Sequence, residues 1–197
     1  MRSIGIVIPA AGASSRMRGC DKLLEKVDGQ PLLARQARRA LATGWPVLVT
    51  LRPGDARAEV IPDGVARREV PGAAEGLAAS LRSGAAWAES LNLTALMVVL
   101  ADLPDLTTED LETIAAAFSE DPNRIIRATD DSGKPGHPVI FPAKHFEAMQ
   151  ILRGDDGAKP LLAQDPPRLC PLPGLRATTD LDTPEDWAAW RANQTRE

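Results

Sequence analysis

Ser3-Ile4-Gly5-Ile6-Val7-Ile8-Pro9-Ala10-Ala11-Gly12-Ala13-Ser14-Ser15-Arg16-Met17-Arg18-Gly19-Cys20-Asp21-Lys22-Leu23-Leu24 decides how the rest of the chain is read. Ile4 to Ile8 is a short apolar run that reads as a buried strand. The run breaks at Pro9 and empties into Ala, Gly and Ser, followed by two cations, Arg16 and Lys22. Gly12 has no Cβ, so its backbone can take φ > 0 and come close to a ligand. A loop of N–H groups flanked by Arg and Lys suits a polyphosphate. The expectation is a nucleoside triphosphate site at the carboxyl end of the first strand. It differs from the familiar phosphate loops, because neither G-x-x-x-x-G-K-[ST] nor G-x-G-x-x-G occurs: Lys134 follows Gly133 but precedes Pro135.

The strand–loop pattern then repeats with helices between. Pro31 opens a helix to about Thr43, with Leu33, Ala37, Ala40 and Leu41 on one face. Arg35, Arg38 and Arg39 of that helix read as a solvated face. Strands are expected at Pro46 to Leu51, Ala66 to Val70, Ala95 to Ala101, Arg124 to Ala128, Val139 to Phe141 and Arg168 to Leu172. Leu77 to Leu91 reads as a helix after a second small-residue loop, Pro71 to Gly76. Leu111, Ile114, Ala115 and Phe118 make a helical stripe capped by Thr107 or Thr108. Pro142 leads into a helix to about Leu152, and Lys159 to Ala163 is a shorter one. Thr183-Pro184-Glu185-Asp186 starts a last helix, anchored by Trp187 and Trp190. Strands alternating with helices imply an α/β fold with a mainly parallel twisted sheet, a Rossmann-like three-layer domain. In such sheets ligands sit beyond the carboxyl ends of the strands. That rule groups the opening loop, the loop at Gly72 to Gly76 and Asp102 on one edge.

Bulk properties exclude several classes. The 197 residues suffice for one substantial core; 44% are hydrophobic and 25% charged, as in ordinary globular domains. Net charge is −4 with no basic block, which argues against nucleic acid as a partner. Cys20 and Cys170 are far apart and not in a metal spacing, as expected in a reducing compartment. The apolar run after Arg2 is short and interrupted by Gly5 and Pro9, unlike a secretory leader. No segment approaches the ~18 apolar residues of a membrane span. A cytoplasmic protein with no membrane partner is expected.

Asp102 directly follows the most apolar strand, Ala95 to Ala101, where hydrophobic walls give way to the crevice. A carboxylate there suits Mg²⁺, which takes one or two carboxylates plus substrate phosphates. Asp180 and Asp182 alternate about Leu181 and share one side of an extended chain. Either an additional metal ligand at Asp182 or a charge at the last helix's N-terminus fits that spacing. Of the two histidines, His145 is assigned no function.

Ala10 to Met17 followed by Asp21-Lys22-Leu23-Leu24 resembles the signature of nucleotidyltransferases with a GT-A-like fold, and within them the molybdenum cofactor cytidylyltransferase group. Gly76 to Leu81, Ala101-Asp102-Leu103-Pro104, Gly136 to Phe141, Gly154 to Ala158 and Asp180 to Asp186 agree in order, so the likeness runs from residue 4 to 187. It implies a single domain over 1–197, with a nucleotide-binding half at about 1–105 and an acceptor-binding half at about 106–190. Ala10, Ala11, Gly12 and Ser80 would meet the nucleotide, and Arg16 and Lys22 its phosphates. Arg16, Lys22 and Asp102 would be the catalytic set, Asp102 and Asp182 the ligands of Mg²⁺ or Mn²⁺. His137 and Asp156 would face the acceptor. The implied reaction moves CMP from CTP to the terminal phosphate of a molybdopterin cofactor and releases pyrophosphate; a client molybdoenzyme or its chaperone is the implied protein partner. Relatives that transfer guanylyl groups usually carry Gly at position 11, where Ala11 narrows the space near the base. Arg18 departs from the pattern, in which Gly follows Met. Alternatives are the same chemistry with GTP or a sugar-phosphate-type acceptor, and a non-catalytic module that delivers molybdenum cofactor.

Overall fold

The computed structural model of the chain describes residues 3–154 and 156–194. The opening apolar run forms β1 (Ile4–Pro9), and around it stand β4 (Val47–Leu51), β5 (Ala66–Glu69) and β6 (Ala95–Val98). With β8 (Pro135–Pro142), β7 (Ile126–Thr129) and β9 (Arg168–Pro171) they make a seven-stranded sheet in the order β5-β4-β1-β6-β8-β7-β9. Every neighbouring pair is parallel except the two that involve β8. The small strands β2 (Lys26–Val27) and β3 (Gln30–Pro31) form a separate hairpin across Asp28-Gly29.

Alternation along β1 shows why the sheet is buried on both sides. Ile4, Ile6 and Ile8 join the core under α1 (Leu32–Ala42) and α3 (Thr108–Glu120). Val7 joins a second core under α2 (Leu77–Ser90), α4 (Phe146–Gln150) and α5 (Lys159–Gln164). A fully buried Ile or Leu in such a layer stabilises by roughly 1.5–3 kcal/mol. A third, small cluster of Met17, Val27, Leu32, Leu181 and Trp187 joins the opening loop to α6 (Pro184–Gln194).

Two differences from the sequence reading matter for the site. The strand expected to reach Ala101 ends at Val98; Val99 still donates its N–H to the Val7 carbonyl at 3.0 Å, and residues 100–102 line the crevice. The strand expected at Val139–Phe141 starts earlier, at Pro135. Its prolines and glycine resemble a turn, but at this end the His137 N–H donates outside the sheet, to the Ala177 carbonyl at 3.0 Å. Because β8 is antiparallel to β6, its amino end lies at the same edge of the sheet as the carboxyl ends of β1, β4 and β6.

Candidate active site

The loop after β1 is built by hydrogen bonds that leave it little freedom. The Ala10 N–H donates to the Thr50 carbonyl at 2.9 Å, tying the loop to the end of β4. Met17 plugs the third hydrophobic cluster at 4% exposure. Between these anchors lies the guanidinium of Arg57, itself 1% exposed. Its Nε donates to Asp21 Oδ2 at 2.7 Å, and Nη1 to the carbonyls of Ala10 and Gly12 at 2.5 and 2.7 Å. Nη2 donates to Ser14 Oγ at 2.9 Å and to Asp21 Oδ1 at 2.8 Å. All five donors of the guanidinium are used on one loop. Burial alone would raise the Asp21 carboxyl, but the bond and charge of Arg57 outweigh it and hold the group below the ordinary carboxylate range. Arg57 and the structural role of Asp21 escaped the sequence reading. Arg57 sits in a one-turn helix with no motif around it, and only the acidic residue before Lys22 hinted that a buried cation was needed.

Gly12 corrects one expectation. Its φ is not among the positive ones, and a Cβ built on it would meet nothing within 4 Å. The glycine therefore leaves open space at the cleft and is not needed for a special turn. The positive-φ positions of this loop are Ser14 (φ 49), Arg18 (φ 52) and Gly19 (φ 100). Arg18 thus stands where glycine is the relaxed choice. Its side chain is largely exposed and pairs with Glu185 at 2.8 Å, away from the loop's interior.

Lys22 is the centre of the charged constellation. Its Nζ donates to Asp102 Oδ2 at 2.6 Å and to Asp182 Oδ1 at 2.5 Å, and Arg16 Nη1 donates to Asp182 Oδ2. Burial would lower the Lys22 ammonium, but Asp102 first and Asp182 second more than reverse this, so it lies above its ordinary range. Asp180, by contrast, is exposed. The carboxylates are held from behind. Gln36 Nε2 donates to the Leu103 carbonyl at 2.6 Å, and Arg39 Nη1 to the carbonyls of Pro104 and Leu106 at 2.8 and 2.5 Å. Arg39 is therefore not part of a solvated face as expected; it clamps the loop that carries Asp102. The Leu181 N–H donates to the Asp102 carbonyl at 3.1 Å, fixing Asp182 beside it. Asp186 accepts from Thr183 N at 2.8 Å and Thr183 Oγ1 at 2.7 Å, capping α6 just after Asp182.

Ala11, Gly12, Arg16, Lys22, Ser80, Asp102 and Asp182 all line one cleft of about 570 Å³, a size usual for small-ligand sites. Three other expected residues do not line it. Ala10 is 1% exposed and belongs to the core, so its methyl supports the loop from below. Asp156 stands at the surface, three-quarters exposed and paired with Lys159 at 3.1 Å, one turn before that lysine at the start of α5. His137 lies beside the cleft on β8, its Nδ1 3.5 Å from the Val98 carbonyl. Desolvation pushes its imidazole down to about 4, so the ring is neutral near pH 7.

The residues fit a hard divalent cation. Asp102 Oδ1 is buried with no hydrogen-bond partner, and the Asp182 carboxylate is adjacent. The described residues hold no cluster of three or more His, Cys, Asp or Glu that could bind a metal. An ion here would complete its shell with water and substrate oxygens, which is how Mg²⁺ is usually held.

A mostly parallel sheet with a cationic loop, two carboxylates and a nucleotide-sized cleft at its carboxyl edge defines a Rossmann-like nucleotidyltransferase. The chain belongs to the MobA-like NTP transferase domain family, whose match spans residues 6–169. It is 29% identical to the purine catabolism protein PucB of Bacillus subtilis over 201 residues, covering 93% of each chain. Among solved structures, Rv0371c of Mycobacterium tuberculosis superposes with a TM-score of 0.79 at 26% identity, over 95% of this chain and 96% of that one. The same protein complexed with manganese gives a TM-score of 0.76 at 24% identity, over 96% and 97%. CMP:2-keto-3-deoxy-manno-octonic acid synthetase complexed with CTP shares the fold, with a TM-score of 0.76 at 16% identity over 98% and 99%. No helix among the described residues is long and apolar enough to cross a membrane.

Proposed function

We propose that the chain transfers CMP from CTP to the terminal phosphate of a molybdopterin-type cofactor, with Mg²⁺ or Mn²⁺ at Asp102 and Asp182. The observation that carries this reading is the meeting of Arg16, Lys22, Asp102 and Asp182 in one cleft that Ala11 and Gly12 also line. The Ala11 methyl supports a pyrimidine, since it occupies room that a larger base would use. The fold shared with a CTP complex and with a manganese complex supports the nucleotide and the ion.

The nucleophile in this reaction is already an anion, so no general base is required. His137, neutral and with its imidazole down at about 4, is not asked to be one. Arg16 and Lys22 gather the β- and γ-phosphates and offset the charge that builds on leaving pyrophosphate. For that, Lys22 must turn its ammonium from the two carboxylates toward phosphate. A divalent ion would supply charge neutralisation at the carboxylates it leaves. Arg57 keeps the loop's N–H groups in place during this exchange. A thermal-shift screen of CTP, GTP, UTP and ATP with Mg²⁺ tests the nucleotide, since a ligand of the native state raises stability by mass action. Pyrophosphate release with molybdopterin then tests the acceptor. Stabilisation and turnover with GTP alone would sink the cytidylyl assignment, and binding without turnover would favour the delivery module.

A further inference from the structure

An in-line transfer brings two phosphate-bearing anions together. The leaving side of the cleft has Arg16 and Lys22. The incoming side needs its own cation, and Asp156, expected there, is an acid at the surface.

Arg127 meets that need. It lies on β7 opposite Val139 of β8. Its neighbours Ile126 and Ala128 belong to the core under α1 and α3, so its side chain leaves the sheet on the opposite face. That is the face of Val98 and Val139, and of His137 two residues before Val139. The Arg127 Nε donates to the Gly136 carbonyl at 3.1 Å. Gly136 is three positions nearer the cleft edge than Val139, so the side chain runs along the sheet toward the cleft and ends beside His137. The His137 ring feels the charges of both Arg127 and Asp102. Arg127 is half-buried and has no carboxylate partner among the described residues. Both Nη groups, with four N–H donors, lack a protein acceptor among them. A half-buried guanidinium whose Nη groups have no protein acceptor is chemically a receptor for an oxyanion.

We propose that Arg127, flanked by His137, forms the oxyanion subsite that receives the phosphate of the incoming acceptor. This rests on the transferase reading and replaces Asp156 with Arg127 on the acceptor side. The Nε bond to Gly136 fixes the fork, and the neutral His137 ring adds no charge but walls the subsite. The subsite recognises a phosphate monoester irrespective of the organic group that carries it. Acceptor discrimination then lies elsewhere, in contacts to that organic group.

The test uses the whole chain and methyl phosphate as probe, against chloride at matched ionic strength. With only two histidines in the sequence, His137 and His145, the ring resonances are separable by NMR, and His145→Gln assigns them. Methyl phosphate is expected to shift the His137 ring saturably and leave His145 in place. Arg127→Gln is expected to weaken that binding by about tenfold or more, as loss of a charge-assisted bidentate contact should, while Arg127→Lys retains part of it. An unmoved His137 in the wild type, or an Arg127→Gln titration equal to the wild type, overturns the subsite; the wild-type arm stands even if the Gln variant fails to fold. CTP-induced stabilisation, measured in parallel, is expected to be the same in wild type and Arg127→Gln. If CTP stabilises neither protein while methyl phosphate still moves His137, the nucleotidyl reading fails and the oxyanion subsite stands.

Discussion

Single residues carry more of this site than their sequence context suggests. Arg57 is the extreme case: one guanidinium satisfies two carbonyls, a hydroxyl and a carboxylate of the loop that faces the cleft. Lysine keeps the charge but has no fork, so Arg57→Lys would reach Asp21 and leave the carbonyls of Ala10 and Gly12 without their donor. The Ala10 carbonyl is buried and the Gly12 carbonyl only part-buried, so one unsatisfied buried acceptor, a loss of about 1–3 kcal/mol, is expected in urea unfolding. The sharper expectation is functional: CTP-induced stabilisation should fall further than the lost stability alone explains, because the loop no longer presents its N–H groups together. An undiminished CTP response would show that Arg57 does not shape the loop. His137 gives a pH signature. Its folded value of about 4 lies below the ordinary 6.5, so the unfolded chain takes up a proton that the folded one refuses. Stability is full above about pH 6.5, falls as pH drops toward 4, and is flat in this respect below it. Between pH 7 and pH 5 the His137 contribution to that fall is about 2 kcal/mol. His145, also lowered by burial, acts in the same direction. Urea midpoints of wild type and His137→Gln at the two pH values separate the two, and equal pH slopes in both proteins would remove His137 from the account.

At the scale of elements, the chain places its acids by packing turns against strands. Asp182 comes from the segment before α6, and that segment touches the sheet where β8 begins. A Cβ on Gly136 would lie 1.9 Å from the Ala177 carbonyl oxygen and 2.9 Å from Thr178 Cγ2. The contact is to backbone, which cannot rotate away, so Gly136→Ala must push residues 177–182 outward. Overpacking of this kind costs about 1–3 kcal/mol. Both a lower melting temperature and a weaker response to divalent ion are expected, since Asp182 moves with the segment; wild-type melting would mean that the segment is free to shift. This junction also shows what the sequence does and does not disclose. The strand–loop–strand alternation, the helix faces and the edge on which Asp102 sits follow from local patterns of apolar residues, and the fold reads out from them. The Gly136 contact, the Arg39 clamp and the Arg57 fork join residues 41, 65 and 47 positions apart, respectively. Nothing periodic marks such pairs. Arg39 in particular sits among arginines on a polar helix face, and only the fold shows that Pro104 and Leu106 turn their carbonyls toward it. Asp156 shows the converse: its local motif is present, but the folded chain sets the residue at the surface outside the cleft lining, paired with a lysine one helical turn on.

At the scale of the molecule, the site exists because the sheet order brings three distant segments to one point. Lys22 follows β1, Asp102 follows β6, its direct neighbour, and Asp182 returns from beyond β9 through the contact with Gly136. The folded chain therefore holds one cation between two acids, and the ammonium and a divalent ion compete for the same oxygens. Replacing Lys22 with Met leaves two adjacent carboxylates without their shared counter-charge. The metal-free variant should lose stability, by about 1–3 kcal/mol for a partly exposed triad of this kind, less than a fully buried pair would cost. Its gain on adding Mn²⁺ alone should exceed that of the wild type, because no ammonium has to be displaced and stabilisation follows RT ln(1 + [L]/Kd). EDTA should abolish the gain, and Lys22→Met/Asp102→Asn should show little of it. Thermal unfolding with and without Mn²⁺ measures all of these. A Mn²⁺ response in Lys22→Met no larger than in the wild type would mean that ammonium and metal do not share a place. The route by which Lys22 is freed for the triphosphate would then have to be sought in the nucleotide alone.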